Sequence, residues 1–281
     1  DLGKLKIGDA RFKLVVDNND EFIFSSEAFT DSIWKSLYNY SRYERSIGSK
    51  IDNYINSHYY DLVEISKDGL EKNNIGLAYL PSPGIVRLRL TAKGPNRQTL
   101  EQLVGDEVRS LYALLPSYIY GEGDTTLPEV IGKLFLKKKL SLATAESCTG
   151  GMIAHKLTSV PGSSGYFKGG VVAYSNEAKV SRLQVSSALI EKYGAVSKEV
   201  ALAMAEGIRQ TSDSDIGLSV TGVAGPDASN NKPMGTVFIG ISDENKSDCK
   251  NFHFYNDRSR NKERSAQAAL ELLRQWLLNL T

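Results

Sequence analysis

The sequence predicts an α/β fold, with a three-layer α/β/α C-terminal domain around a mainly parallel sheet and a small α+β domain before it. The 281 residues suffice for two domains of ordinary size. After residue 123, apolar segments of strand and helix length alternate along the chain, which is typical of strands joined by helices. Before it, a shorter strand–helix–strand pattern stands by itself. We therefore divide the chain into 1–123 and 124–281.

Composition excludes several classes of protein. A chain with 41% apolar and 24% charged residues is neither disordered nor a coiled coil. The net charge of +1 argues against binding of nucleic acid through bulk charge, and no apolar run reaches the ~18 residues of a membrane helix. Two cysteines cannot form a disulfide framework, so we expect a reduced, cytoplasmic setting. Because the first residue is Asp1, we also expect a fragment or a processed product.

The part of the chain before Ile75 carries the weakest patterns. Arg11–Val16 predicts a strand, and apolar residues at helical spacing recur over 29–37 and from residue 51. Six tyrosines lie among basic residues here, which suits either stacking on single-stranded nucleic acid or half-buried packing, the commoner arrangement. The tyrosines are Tyr38, Tyr40, Tyr43, Tyr54, Tyr59 and Tyr60.

A small α+β unit follows. Residues 85–91 alternate apolar and polar side chains, which predicts a strand, and the Pro-Ser-Pro-Gly run at 81–84 predicts a turn before it. Apolar residues from Leu100 to Leu111 recur at helical spacing, and 118–120 predicts a returning strand. Arg87 and Arg89 suit either phosphate binding or, more commonly, an exposed strand face.

The C-terminal elements are predicted from the same periodicities. Helices are expected at 127–138, 151–157, 201–209 and 266–278, with another beginning after Tyr174. Strands are expected at 140–145, 170–174, 216–221, 236–242 and 251–255.

The first chemical motif, Ala-Glu-Ser-Cys-Thr-Gly-Gly at 145–151, lies where a strand passes into a helix. Ser147, Cys148 and Thr149 offer hydroxyl and thiol nucleophiles. Gly150 and Gly151 allow close backbone approach and direct amide groups towards an anion, which suits a phosphate cradle or an oxyanion hole. The motif matches neither the Walker A nor the dinucleotide pattern. A tight turn with hydroxyl caps is the structural alternative.

Two further corners follow strands. At Tyr174–Lys179, Ser175 or Asn176 would cap a helix, and Lys179 would lie one turn inside it, looking back towards the strand end. Thr221 and Gly222 begin the third corner. Alone, a first-turn lysine is usually solvated and a glycine corner is usually a turn. Because the carboxyl ends of parallel strands meet at one edge of a sheet, we expect the three corners to converge on one crevice.

A charged run at 257–264 precedes the last helix, and Arg258 within it suits either an anionic substrate or a solvated helix start. The three histidines have no metal-ligand spacing, so we expect neither a metal site nor a cofactor. His155 lies two helical turns after Ser147 and is expected to point away from the strand end. A Ser–Lys arrangement is then the simplest way to activate a hydroxyl.

These motifs, in this order, resemble the C-terminal domain of the CinA (competence/damage-inducible protein) family, which is shared with nicotinamide mononucleotide deamidases. The matching stretches include LATAESCTGG at 142–151, VPGSSGYFKGGVVAYSNEAK at 160–179, SVTGVAGPD at 219–227 and KPMGTVFIG at 232–240. Residues 79–94 and 118–132 resemble the KH-like middle domain and its junction. The segment 1–70 matches poorly, and the pyrophosphatase activity of the family's molybdopterin-binding-like domain is not carried over.

The resemblance implies hydrolysis of nicotinamide mononucleotide to nicotinate mononucleotide and ammonia. It implies that Ser147 attacks, Lys179 takes the proton, and Tyr174 and Thr221 orient the pair or the ligand. Thr149, Gly150, Gly151, Gly222 and Arg258 would contact the substrate, and a homodimer is expected. The alternatives are a non-catalytic nucleotide-binding module linked to competence or DNA damage, and another amidase or esterase.

Three residues depart from the family pattern, and a fourth, Cys148, bears on which residue is the nucleophile. Asn256 replaces a frequent glycine before the Asp-Arg pair, and Ala228 and Ser229 replace glycines after Gly225-Pro226-Asp227. Both loops are therefore expected to differ in shape. Because neighbours on a strand-to-helix corner point in different directions, we also predict that Ser147 and Cys148 do not both face the crevice, and that Cys148 is a packing residue.

Overall fold

The computed structural model describes residues 11–16, 21–27, 75–82, 85–115, 118–228, 232–254 and 257–280. The chain forms two compact units, Asp1–Thr125 and Thr126–Thr281. The division falls two residues after the boundary that the sequence suggested. No helix in the described ranges combines the length and apolar character that a membrane span requires.

The first unit contains a four-stranded sheet with the order β1-β2-β4-β3 and one described helix. Its strands are β1 (Arg11–Val16), β2 (Glu21–Glu27), β3 (Ile75–Ser82) and β4 (Ile85–Ala92). Helix α1 (Arg97–Leu114) begins where the Asn96 side chain accepts a hydrogen bond from the Thr99 N–H. Leu90 of β4 and Val104 of α1 are among the buried residues of the core between them.

Several sequence predictions for this unit need correction. The returning strand at 118–120 does not form, because the N–H groups of Tyr118 and Ile119 both bond to the Leu115 carbonyl at the end of α1. Ile119 is buried in the core without strand pairing. Strand β3 was not predicted and extends through Pro81 and Ser82, but Ser82 pairs with Ile85 of the antiparallel strand β4, so the chain reverses direction between them as the predicted turn requires. The helical patterns at 29–37 and after residue 51, and the six tyrosines, lie outside the described residues.

The second unit has three layers around a five-stranded sheet with the order β6-β5-β7-β8-β9. The strands are β5 (Leu142–Glu146), β6 (Phe167–Val172), β7 (Ile216–Gly222), β8 (Thr236–Ser242) and β9 (Ser247–His253). The helices are α2 (Leu127–Lys138), α3 (Met152–Thr158), α4 (Asn176–Leu183), α5 (Ser187–Tyr193), α6 (Lys198–Thr211) and α7 (Arg258–Asn279).

The helices cover both faces of this sheet. On one face α6 contacts β5, β7 and β8, and α4 and α5 pack against α6. On the other, α7 contacts β7 and β8 and also packs against α2 and α3. Every residue of β5 is buried, as expected for a central strand covered on both sides. The three-layer α/β fold is therefore confirmed.

The sheet is mixed, and this refines the expected mainly parallel arrangement. β5 pairs in parallel with β6 and β7, whereas β8 is antiparallel to both β7 and β9. The carboxyl ends of β5, β6 and β7 therefore meet at one edge. The last helix begins eight residues before the predicted start, because Asp257 caps it through the Arg260 N–H and the charged run forms its first turns.

Candidate active site

A pocket of about 230 Å³ lies at the edge where β5, β6 and β7 end. The three corners that the sequence placed in one crevice meet here, and the first turn of α7 joins them. The residues that line the pocket are Ser147, Cys148, Tyr174, Asn176, Lys179, Ala195, Val196, Thr221, Gly222, Ala224 and Arg258. Among them Asn176, Ala195, Val196 and Ala224 had no predicted pocket role. Asn176 and Ala224 belong to corners that were recognised, whereas nothing in the sequence indicates that the segment before α6 reaches this edge.

Ser147 and Lys179 lie side by side at the centre of the pocket. The Lys179 Nζ is 3.3 Å from the Ser147 Oγ, and only 2% of Lys179 is exposed. Ser175 caps α4 by accepting a hydrogen bond from the Ala178 N–H, which places Lys179 on the first turn and directs it back towards the strand end. Ser147 is held from the other side, because its N–H donates to the Val220 carbonyl of β7 at 2.9 Å.

Backbone carbonyls surround the lysine. The Nζ donates to the Ala173 carbonyl at 2.9 Å and lies 3.4 Å from the carbonyls of Tyr174 and Ser175. Burial lowers the pKa of Lys179 below its ordinary value of 10.5, against smaller opposing effects of Cys148 and Glu177. This lysine is therefore easier to deprotonate than a solvated one, while its remaining N–H groups keep hydrogen-bond partners.

Cys148 also contributes to the pocket wall, which corrects the expectation that only one of the two neighbours faces the crevice. Its side chain is nonetheless a buried thiol. The pKa of Cys148 is raised to about 12, and burial is the main cause. The thiolate that a cysteine nucleophile requires is thus disfavoured near neutral pH.

Glu146, the last residue of β5, is the main residue at this site to which the sequence gave no role. Its carboxylate is 1% exposed and accepts N–H groups from Gly151 and Ile153 on Oε2 and from Ala154 on Oε1, at 2.8–3.1 Å. A negative charge is stabilised at the start of a helix by these donors. Glu146 therefore occupies the anion position that the sequence assigned to a substrate.

Three residues that were predicted to contact the substrate, Thr149, Gly150 and Gly151, do not line the pocket. The Gly151 N–H bonds to Glu146, and the Gly150 N–H bonds to the Ser147 carbonyl at 3.1 Å. Both glycines have positive φ, at 63° for Gly150 and 93° for Gly151, so they shape the turn. Thr149 is fully buried, and its hydroxyl has no hydrogen-bond partner in the described structure.

Thr221 and Gly222 form the back wall. The Thr221 hydroxyl donates to the Ala195 carbonyl at 2.8 Å, which ties β7 to the segment before α6. A Cβ at Gly222 would lie 2.8 Å from the Thr236 carbonyl oxygen and 3.1 Å from the Cys148 Sγ. Glycine is therefore required here by packing between two strands and the turn at 147–151.

Arg258 and Tyr174 form the mouth. The Arg258 guanidinium donates to the Gly225 carbonyl at 2.6 Å and to the Tyr174 hydroxyl at 2.7 Å, so it bridges two of the corners. Asn256 and Ser229 lie outside the described residues. His155 is exposed on α3 and does not line the pocket.

This arrangement can be compared with known families. The family model of the CinA C-terminal domain matches residues 124–277, more than half of the chain. The chain belongs to the CinA family. The model of the damage-inducible protein CinA KH domain matches residues 61–121, so the small domain is KH-like.

Similar proteins agree with this membership. A CinA-like protein of Dictyoglomus thermophilum is 43% identical over 210 residues, which cover 74% of this chain and 51% of the relative. A CinA-like protein of Kosmotoga olearia is 40% identical over 221 residues, which cover 78% and 54%. The chain thus spans about half the length of these curated relatives.

Solved structures are similar to about half of the chain. The competence damage-inducible protein A of Klebsiella pneumoniae has a TM-score of 0.54 and 29% identity, with 55% of this chain and 97% of that chain covered. The competence/damage inducible protein of Agrobacterium tumefaciens has a TM-score of 0.52 and 35% identity, with 54% and 94% covered.

Proposed function

We propose that this chain hydrolyses the carboxamide of nicotinamide mononucleotide to nicotinate mononucleotide and ammonia, with Ser147 as nucleophile and Lys179 as general base. One observation carries the proposal. A buried lysine with a lowered pKa lies 3.3 Å from a serine hydroxyl, in a pocket whose lining contains no histidine or carboxylate to serve as the base. Membership in the CinA family, and the resemblance of its motifs to nicotinamide mononucleotide deamidases, supplies the substrate.

The hydrogen bonds around Lys179 suit the neutral amine. Its two N–H groups have acceptors in the Ala173 carbonyl and in either of the carbonyls that lie at 3.4 Å, which leaves the nitrogen lone pair free to accept the Ser147 proton. The Oγ then attacks the carboxamide carbon. Lys179 returns the proton to the leaving nitrogen and ammonia departs. Water then attacks the acyl ester while Lys179 takes its proton, and Lys179 passes that proton to the departing Ser147 Oγ. The products are a free Ser147 and the carboxylic acid, which ionises to the carboxylate.

The tetrahedral oxyanion needs a hydrogen-bond donor, and the backbone N–H groups of residues 147–151, here called the nucleophile turn, are the candidates. Those of Ser147, Gly150 and Gly151 are bonded within the protein. In the described structure this leaves Cys148 and Thr149, and of these Cys148 lines the pocket. We assign the oxyanion contact to the Cys148 N–H, which is the position directly after the nucleophile. One such donor contributes about 10²–10³-fold to the rate.

The test of this function is ammonia release from nicotinamide mononucleotide, with nicotinamide riboside and nicotinamide compared in parallel. We expect release from the mononucleotide with formation of the carboxylate product. Binding without release would instead indicate a nucleotide-binding module, and release from an unrelated amide or ester alone would indicate another hydrolase.

Lys179→Arg tests the base. Arginine keeps a positive charge but cannot deprotonate near neutral pH, so the variant should bind the nucleotide and lose at least ~10²-fold in kcat. The matched control is Lys137→Arg on the exposed side of α2, which should retain activity. If Lys179 only paired with the substrate phosphate, the loss would appear in KM. A Lys179→Arg enzyme with near-normal kcat would refute the general-base role.

A further inference from the structure

Two basic residues at the start of α7 have no acidic partner in the described structure. Arg258 and Lys262 are four residues apart and therefore share one face of the helix. Neighbouring charges are paired: Arg260 lies 3.4 Å from Asp257, and Glu263 lies 3.9 Å from Lys156 of α3. Among the residues that the structure describes, Arg258 bonds only to the neutral oxygens of Gly225 and Tyr174. The face therefore carries two uncompensated positive charges next to the pocket.

Lys262 lies over the turn that holds the nucleophile. Its Nζ is 3.4 Å from the position that a Cβ on Gly150 would occupy. Its charge also acts on the pocket wall, since it lowers the pKa of the Cys148 thiol against the larger effect of burial. The missing side chain at Gly150 thus leaves room for the ammonium beside the nucleophile turn, although the Gly150 amide points elsewhere.

The size of the pocket indicates which part of a ligand would contact Arg258 and Lys262. Sites that enclose a whole ligand measure about 300–1,000 Å³, and this pocket measures about 230 Å³. If Ser147 acts at its centre, the pocket holds the reactive ring of a mononucleotide, and the ribose phosphate extends out past the mouth. The mouth is where Arg258 lies, and Lys262 lies one helical turn further along the same face.

We propose that Lys262, together with Arg258, forms a subsite for a phosphate monoester, and that Lys262 is the residue that distinguishes a nucleotide from its nucleoside. This inference rests on the proposed function for the identity of the reactive group. Its own chemistry is the pairing of a doubly charged phosphate with one ammonium and one guanidinium. Arg258 is already oriented by Tyr174 and Gly225, and its remaining N–H groups are available to phosphate oxygens.

The experiment compares the full chain with its Lys262→Gln variant on two substrates. For nicotinamide mononucleotide, we expect KM to rise about 10- to 100-fold with kcat largely kept, which is the usual size of one hydrogen bond to a charged group. For nicotinamide riboside, kcat/KM should not change. Arg260→Gln is the matched control, because it removes the same charge from the same turn but its side chain pairs with Asp257. Lys262→Arg should restore most of the affinity.

A binding measurement separates this inference from the proposed function. Ribose 5-phosphate, compared with ribose, is titrated into the full chain by calorimetry, and we expect binding that depends on the phosphate and on Lys262. If no ammonia is released but this binding is found, the proposed reaction is wrong and the phosphate subsite stands. If ammonia is released but Lys262→Gln matches the unaltered chain in KM, or ribose 5-phosphate does not bind, the subsite is wrong and the reaction stands.

Discussion

Replacing Glu146 with glutamine would test whether an internal carboxylate holds the nucleophile turn. One oxygen of the carboxylate accepts two N–H groups and the other accepts one, all in a site that is 1% exposed. Glutamine has a single acceptor oxygen. With that oxygen placed towards Gly151 and Ile153, its NH₂ group must face the Ala154 N–H, and two donors then oppose each other in a buried site.

The expected cost can be worked out from these contacts. An unsatisfied buried donor costs about 1–3 kcal/mol, and loss of the negative charge at the helix start costs a further ~0.3–2 kcal/mol. We therefore expect Glu146→Gln to lower the free energy of unfolding by about 1–5 kcal/mol. Because Ser147 follows Glu146 directly, kcat for ammonia release should fall as well.

The assay is urea unfolding followed by tryptophan fluorescence in a Trp34→Phe background. The chain has two tryptophans, so this leaves Trp276 of the second unit as the only reporter. Glu191→Gln on the exposed surface of α5 is the control and should stay within ~0.5 kcal/mol. A Glu146→Gln chain as stable as that control would show that the three N–H contacts do not stabilise the turn.

Other predictions concern Cys148 and Lys179, two of the ionisable residues that line the pocket. Cys148→Ala should keep most of the activity, because burial holds the thiol pKa near 12, and complete loss of ammonia release in a folded variant would reassign the nucleophile. The kcat/KM for ammonia release should rise with pH until Lys179 is deprotonated, at a pH below 10.5, and a flat profile would contradict a lysine base. Between the folded pKa of Lys179 and about 10.4 the unfolded chain binds more protons than the folded chain, so stability should rise with pH across that window. Lys179→Met should therefore raise Tm at pH 7, and this increase in Tm should become smaller towards pH 10.5. An increase that did not change with pH would show that removal of a buried charge is not its cause.

Local patterns were sufficient to predict much of the second unit. Helix α2 has the predicted bounds because Thr126 and Glu129 form a capping box at its start. The position of Lys179 could be predicted for the same reason, since Ser175 fixes where α4 begins and the helical period fixes the direction four residues later.

Other features depend on information that a local pattern does not carry. The direction of β8 was accessible in principle, since the sequence of residues 223–235 has glycines and prolines and no helical pattern, whereas a parallel crossover usually passes through a helix. The roles of Glu146 and Lys262 could not be predicted from the sequence. Glu146 acts through amides five to eight residues later, and Lys262 acts beside Gly150, which lies far earlier in the chain, so both roles exist only once the chain has folded. At 118–120 the apolar pattern was real, but burial did not require strand pairing.

The bond from the Ser147 N–H to the Val220 carbonyl has a consequence for how the site forms on the ribosome. Ser147 and Lys179 are only 32 residues apart and therefore leave the exit tunnel close together. Strand β7, which anchors the serine, is synthesised after both of them, and Arg258 follows later still. A nascent chain that carries both reactive residues therefore lacks the support that aims one of them at the other. Translation must proceed past β7 before the Ser147 N–H has this partner, so a truncated product ending before residue 216 would contain both residues without the contact that positions Ser147.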